Sequence, residues 1–195
     1  MIEVPKLTLP LDPPVAFGGG EIVEIALREP TYAQVLAASH HLRVGMNPET
    51  IDRFRAALIA AAAGLAPEAV VLLPVTICDR AADWLEGLVY GEATGLPEDD
   101  ETTWEMTLPR PLTWQGVTVD SLSLRVPTLG ERLAAGKHIA KVQSAESQLK
   151  YDGELVQRVS GVHRAVIDGL PITALTAAAT WLRGFFGPGR ATGRN

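Results

Sequence analysis

Two histidines, His41 and His138, stand 97 residues apart in similar surroundings. Imidazoles titrate near neutral pH, so a pair of them is what a metal site or a proton relay would use. No His/Asp/Glu spacing in the chain resembles a structural or catalytic metal site. A polar residue near a helix C-terminus, where positive charge is favoured, accounts for both. His40, beside His41, faces another side of that helix. Cys78 is the single cysteine, which rules out an intrachain disulfide or a cysteine-based zinc site. In its apolar setting it reads as a small core residue. Gly18-Gly19-Gly20 lacks the Lys-Ser/Thr that completes a phosphate loop, and neither a nucleophile elbow nor a dinucleotide fingerprint is present. No catalytic constellation emerges, so the expectation is a non-enzyme with no catalytic residues, no metal ligands and no cofactor.

The remaining candidates belong to binding or to architecture. Arg28 and Arg125 sit in two related stretches, Leu27-Arg28-Glu29-Pro30-Thr31 and Leu124-Arg125-Val126-Pro127-Thr128. A guanidinium fork there could hold a partner's carboxylate, or bond an acid or helix end of its own fold. The internal role is favoured because the whole motif looks structural. Core packing accounts for Trp84 and Trp181. Phe185-Phe186, followed by Gly187-Pro188-Gly189, could together with Trp181 form an apolar anchor that plugs into a partner. It could equally fold back on its own domain.

These residues must be positioned by something, and the chain states it twice. A shift of 97 residues carries Leu36-Ala37-Ala38 onto Leu133-Ala134-Ala135, Glu49 onto Glu146, Gly64 onto Gly161, and Trp84-Leu85 onto Trp181-Leu182. Leu73-Pro74-Val75-Thr76 meets Leu170-Pro171-Ile172-Thr173, and the register runs without a gap from Gly19 to Gly87. Each copy opens with an extended segment ending at a proline, Leu7–Leu9 and Met106–Leu108. A glycine turn follows (Gly18–Gly20; Gly116), then alternating apolar residues, which together read as a β-hairpin. Thr31 with Gln34, and Thr128 with Glu131, are capping-box pairs that begin a helix straight after the proline. A second helix should run from Asn47-Pro48 to Gly64, with its counterpart from about Ser144 to Gly161. A third should begin at Thr76 and at Thr173. The fold class is therefore α+β: two tandem copies of a small ββααα unit.

The expected boundaries are 1–92 for the first copy, 93–103 for an acidic Gly/Pro linker, 104–188 for the second copy and 189–195 for a mobile tail. Charge is uneven. Residues 1–97 carry six Lys/Arg against twelve Asp/Glu, residues 98–105 five acids and no base, and residues 106–195 eleven Lys/Arg against six Asp/Glu. The bases are scattered and form no dense patch, so nucleic acid is not an expected partner. The asymmetry suits attraction between the halves or between neighbouring copies, which makes self-association an expectation. No run approaches the ~20 apolar residues of a membrane span, and Met1–Leu11 has no apolar core of the signal-peptide kind. The chain is expected to work in the cytoplasm without a membrane.

A hairpin entering Leu-Arg-x-Pro-Thr, then helices, then Phe-Phe-Gly resembles the tail assembly chaperones of contractile-tailed phages. The matching residues are Leu27–Thr31, Leu124–Thr128, Leu170–Thr173 and Phe185–Gly187. Family members are usually a single unit, so the doubling is a departure. The first copy also lacks the Phe-Phe ending. The resemblance implies a chaperone that binds the tape measure protein in the host cytoplasm, and keeps it soluble until tail tube protein polymerises around it. It implies no cofactor. The alternative is a structural subunit retained in a phage tail or related injection particle.

Overall fold

The computed structural model describes residues 5–97 and 101–186. The chain divides into two compact units, one ending at Gly91 and the other beginning at Glu92. The first contains β1 (Lys6–Phe17), β2 (Gly20–Arg28), α1 (Tyr32–Ser39), α2 (Pro48–Ala63), α3 (Pro67–Val70) and α4 (Val75–Tyr90). The second contains β3 (Thr103–Trp114), β4 (Val117–Arg125), α5 (Leu129–Gly136), α6 (Ala145–Ser160), α7 (Arg164–Gly169) and α8 (Ile172–Arg183). The 97-residue shift carries both strands and the first two helices onto their counterparts end for end. Each unit is a two-stranded antiparallel hairpin followed by helices, the α+β repeat expected from the sequence.

The hairpins close through two-residue turns. Gly18 and Gly19 have positive φ in one, Gln115 and Gly116 in the other. Such turns match the twist of paired strands. Val15 pairs with Ile22 and Leu9 with Ile25, but the register breaks between Pro10 and Val15. The same break falls between Thr107 and Leu112. Here the structure corrects one expectation: β1 and β3 do not end at their first proline. Each is the outer strand of a two-stranded sheet, so a proline can occupy the unpaired side without losing a ladder bond. β3 also begins at Thr103, paired with Arg125, inside the stretch expected to be linker. Residues 98–100 of the acidic run, and the expected tail 189–195, lie outside the described residues.

One hairpin face carries Leu9, Leu11, Ile25 and Leu27 in the first unit, and Met106, Leu108, Leu122 and Leu124 in the second, all buried. The 16-residue helices lie at the centre. α2 packs against β2, α1, α3 and α4; α6 packs against β4, α5, α7 and α8. Their ends are set locally. Asn47 and Thr50 form a capping box with Pro48 in the first turn, and Ser144 and Ser147 form another. Gly64 and Gly161 stop the helices in the left-handed conformation at φ 67° and 69°. The last helices begin at Val75 and Ile172, one residue before the expected Thr76 and Thr173. The short helices α3 and α7 are additions that the sequence reading omitted. α7 is opened by His163, whose Nδ1 accepts the Ala165 amide at 3.2 Å and whose ring stacks on Trp114.

A half-buried ion pair ties the central helix to the last helix in each unit, with opposite polarity. In the first, Arg55 on α2 donates to Glu86 on α4 at 2.8 Å. In the second, the acid sits on the central helix: Arg183 on α8 donates to Asp152 on α6 at 3.0 Å. These are equivalent positions under the 97-residue shift.

Nothing lies within 4 Å of where a side chain on Gly64 or Gly161 would begin. Gly64→Ala and Gly161→Ala should therefore each cost only the left-handed backbone strain, about 1 kcal/mol, read by urea denaturation. A loss several times larger at either would show that the αL cap does more than stop the helix.

Candidate functional site

The repeated strand-to-helix junction is built from the residues singled out in the sequence. Leu27 and Leu124 are buried in the core. Thr31 Oγ1 accepts the Gln34 amide and Gln34 Oε1 accepts the Thr31 amide, at 3.4 and 2.8 Å. Thr128 and Glu131 make the same reciprocal pair at 3.3 and 2.8 Å. Pro30 is buried and Pro127 half-buried. The two arginines then part company. Arg125 donates both guanidinium arms to Glu131, at 2.7 and 3.0 Å. The equivalent of Glu131 is Gln34, whose amide instead donates to the Ala61 carbonyl on α2 at 3.1 Å. Arg28 is exposed, and its side chain has no hydrogen bond or ion pair among the described residues. The internal role thus describes Arg125, and Arg28 is left facing solvent.

His41 lies in the 3-10 turn His40–Leu42 that follows α1. His138 follows α5, with its Nε2 4.0 Å from Glu154 on α6. Among the described residues no group of three His, Cys, Asp or Glu is placed to hold a metal. Cys78 is half-buried, and burial pushes its thiol pKa up, away from the thiolate that nucleophilic chemistry needs.

The aromatic residues near the C-terminal end are divided between core and surface. Trp181 is completely buried. Its ring meets Trp104 at 5.9 Å and the edge of Phe185 at 4.9 Å. As placed, Trp181 belongs to the core of its own repeat and presents nothing to a partner. Trp84, its equivalent, is only half-buried. Leu7 stands where the second repeat has Trp104. Phe186 is half-buried, and the Arg132 guanidinium lies 4.7 Å from its ring centre, a cation–π contact.

Phe186 is one wall of an open groove of about 680 Å³. Arg132, Leu133 and Gly136 of α5 line it, with Ile139 beyond, Tyr151 on α6 and Arg183 on α8. Its walls are largely apolar and its rim cationic. Sequence reading missed it because it arises from a change of side chain inside a conserved frame. The first repeat has buried Val35 and Leu42 where the second has exposed Arg132 and half-buried Ile139, while Phe54 and its counterpart Tyr151 are both buried. A charged side chain at Arg132 cannot enter the core as Val35 does, so this end of α5 stays open. Of the three aromatic residues proposed as an anchor, Phe186 alone reaches the groove.

The family model described as "Phage tail assembly chaperone proteins, E, or 41 or 14" matches residues 8–89 and, a second time, 105–187. No curated protein and no solved structure matches the chain.

Two carboxylates of the second repeat bend the pH dependence of stability in opposite directions. The Arg125 fork, ahead of the Thr128 amide and hydroxyl, holds Glu131 down to about 2 from the ordinary 4.5. Its contribution is full above 4.5 and lost as pH falls towards 2. For Asp152 burial outweighs the attraction of Arg183, raising it from 3.8 to about 6. The folded chain then binds the extra proton, so stability falls as pH rises from 3.8 to about 6. Chemical denaturation across that window should show the fall in the wild type and its absence in Asp152→Asn. A flat wild-type profile would mean that Arg183 prevails over burial.

Proposed function

We propose that this chain, which belongs to the phage tail assembly chaperone family, binds the tape measure protein and keeps it soluble during tail assembly in the host cytoplasm. The observation that carries the site is the groove on the second repeat, open and apolar where the first repeat is filled. An amphipathic helix lays its apolar side into such a groove, with anchors one turn apart. The cationic rim of Arg132, Lys137 and Arg183 favours a segment whose polar side is acidic. The reading needs no catalysis and no cofactor, in keeping with a family of chaperones. Among the described residues no helix is long and apolar enough to cross a membrane. In the first repeat buried Val35 and Leu42 stand at the positions of Arg132 and Ile139, so we assign the client to the second repeat and a supporting role to the first.

Co-expression with a tape measure protein from the same genome, followed by size exclusion, tests the assignment. The tape measure protein should become soluble and co-elute. Ile139→Asp, which puts a charge into the groove from a half-buried position, should weaken the complex by about tenfold or more. Failure to associate, with this chain found instead at fixed copy number in finished particles, would overturn the chaperone reading in favour of a structural subunit.

A further inference from the structure

Around the repeated arginine the two units differ at three neighbouring positions, and all three changes run the same way. In the second repeat Arg125 stands opposite Thr103 on β3, with Glu105 two residues further along that strand. A long side chain reaches such a diagonal neighbour. The Arg125 fork itself is closed by Glu131, at 2.7 and 3.0 Å. In the first repeat Arg28 stands opposite Lys6, Thr8 takes the place of Glu105, and Gln34 that of Glu131. With the arginine included, the four positions carry one base and two acids in the second repeat, and two bases and no acid in the first.

The neighbours of Arg28 do not supply the missing acid. Glu24, on the same exposed side of the hairpin, is four residues along β2, roughly 13 Å at strand spacing. Glu29, next in the chain, is buried where Arg28 is exposed. The Gln34 side-chain amide is bonded to the Ala61 carbonyl. Among the described residues the exposed Lys6 and Arg28 side chains have no hydrogen bond or ion pair. Like charges directly opposite on paired strands repel and weaken the sheet. An anion seated between them removes that cost.

We infer that the Lys6–Arg28 corner binds a carboxylate supplied by another protein, an acidic segment whose side chain takes the place that Glu131 fills on Arg125. Arg28 offers a two-pronged fork and Lys6 a second positive charge beside it, so adjacent glutamates or aspartates fit better than one alone. The second repeat is closed to the same ligand, because its own Glu131 holds the fork. The corner belongs to the first repeat and uses no groove residue, so it stands or falls apart from the client reading.

An acetylated tetraglutamate peptide serves as the probe, titrated at low salt into the full chain. The side-chain Nε–H signals of Arg28 and Arg125 are followed by NMR. Arg28 should shift and saturate while Arg125 stays still, and tetraglutamine should move neither. Affinity is read from the anisotropy of the labelled peptide. Arg28→Gln and Lys6→Thr should each lower it about fivefold, with the backbone spectrum otherwise unchanged. Gln34→Glu is the sharper variant, since it supplies the acid of the second repeat. Its carboxylate should occupy Arg28, bring that Nε–H signal towards the position of Arg125, and weaken the peptide to the same degree. An Arg28 signal that the peptide leaves in place overturns the inference. So does equal movement at Arg125, or any of the three variants binding the peptide as the wild type does.

Discussion

A two-stranded hairpin does not stand in water unaided, because half of its apolar side chains have nothing to lie against. Everything else in this fold follows from meeting that need. Leu9, Ile25 and Leu27, or Met106, Leu122 and Leu124, form one buried face, and a 16-residue helix packs against the inner strand. Each buried leucine or isoleucine is worth about 2 kcal/mol. The capped proline-threonine junction brings the chain from strand to helix with no intervening loop, so hairpin and helices are joined by a short, stiff corner. The capping box at that corner is common to the two repeats.

On that shared frame the two units have become different surfaces. Val35 in one is Arg132 in the other, and Leu7 is Trp104. The first change opens the groove. The second gives Trp181 a ring to lie against, so it is fully buried where Trp84 is not. A duplicated unit can hold its fold with one set of residues and alter what it presents with another. Groove and exposed faces here are made by the residues that the duplication did not keep alike.

What could be read from the sequence was local or periodic. The capping boxes span three residues, the αL glycines end their own helices, and the repeat shows itself at a single offset. Those signals placed both hairpins and the main helices. The groove depends on Arg132, Ile139, Tyr151 and Phe186 meeting in space, with no fixed spacing between them. The strand prolines misled for a related reason. Their cost depends on whether a neighbouring strand needs their missing amide, and that is a property of the sheet. The short helices α3 and α7, of 4 and 6 residues, have too few turns to show a period.

The reversed polarity of the Arg55–Glu86 and Asp152–Arg183 pairs bears on how a chain with two copies of one fold sorts itself out. Tandem units so alike are prone to exchange helices while folding. If α8 took the place of α4 on α2, Arg183 would face Arg55. If α4 took the place of α8 on α6, Glu86 would face Asp152. Either exchange sets like charges together at a partly dry site, where water screens them poorly. Only the native pairing joins opposite charges in both units at once. The swap of sign therefore works as an address, by which each closing helix finds its own half of the chain.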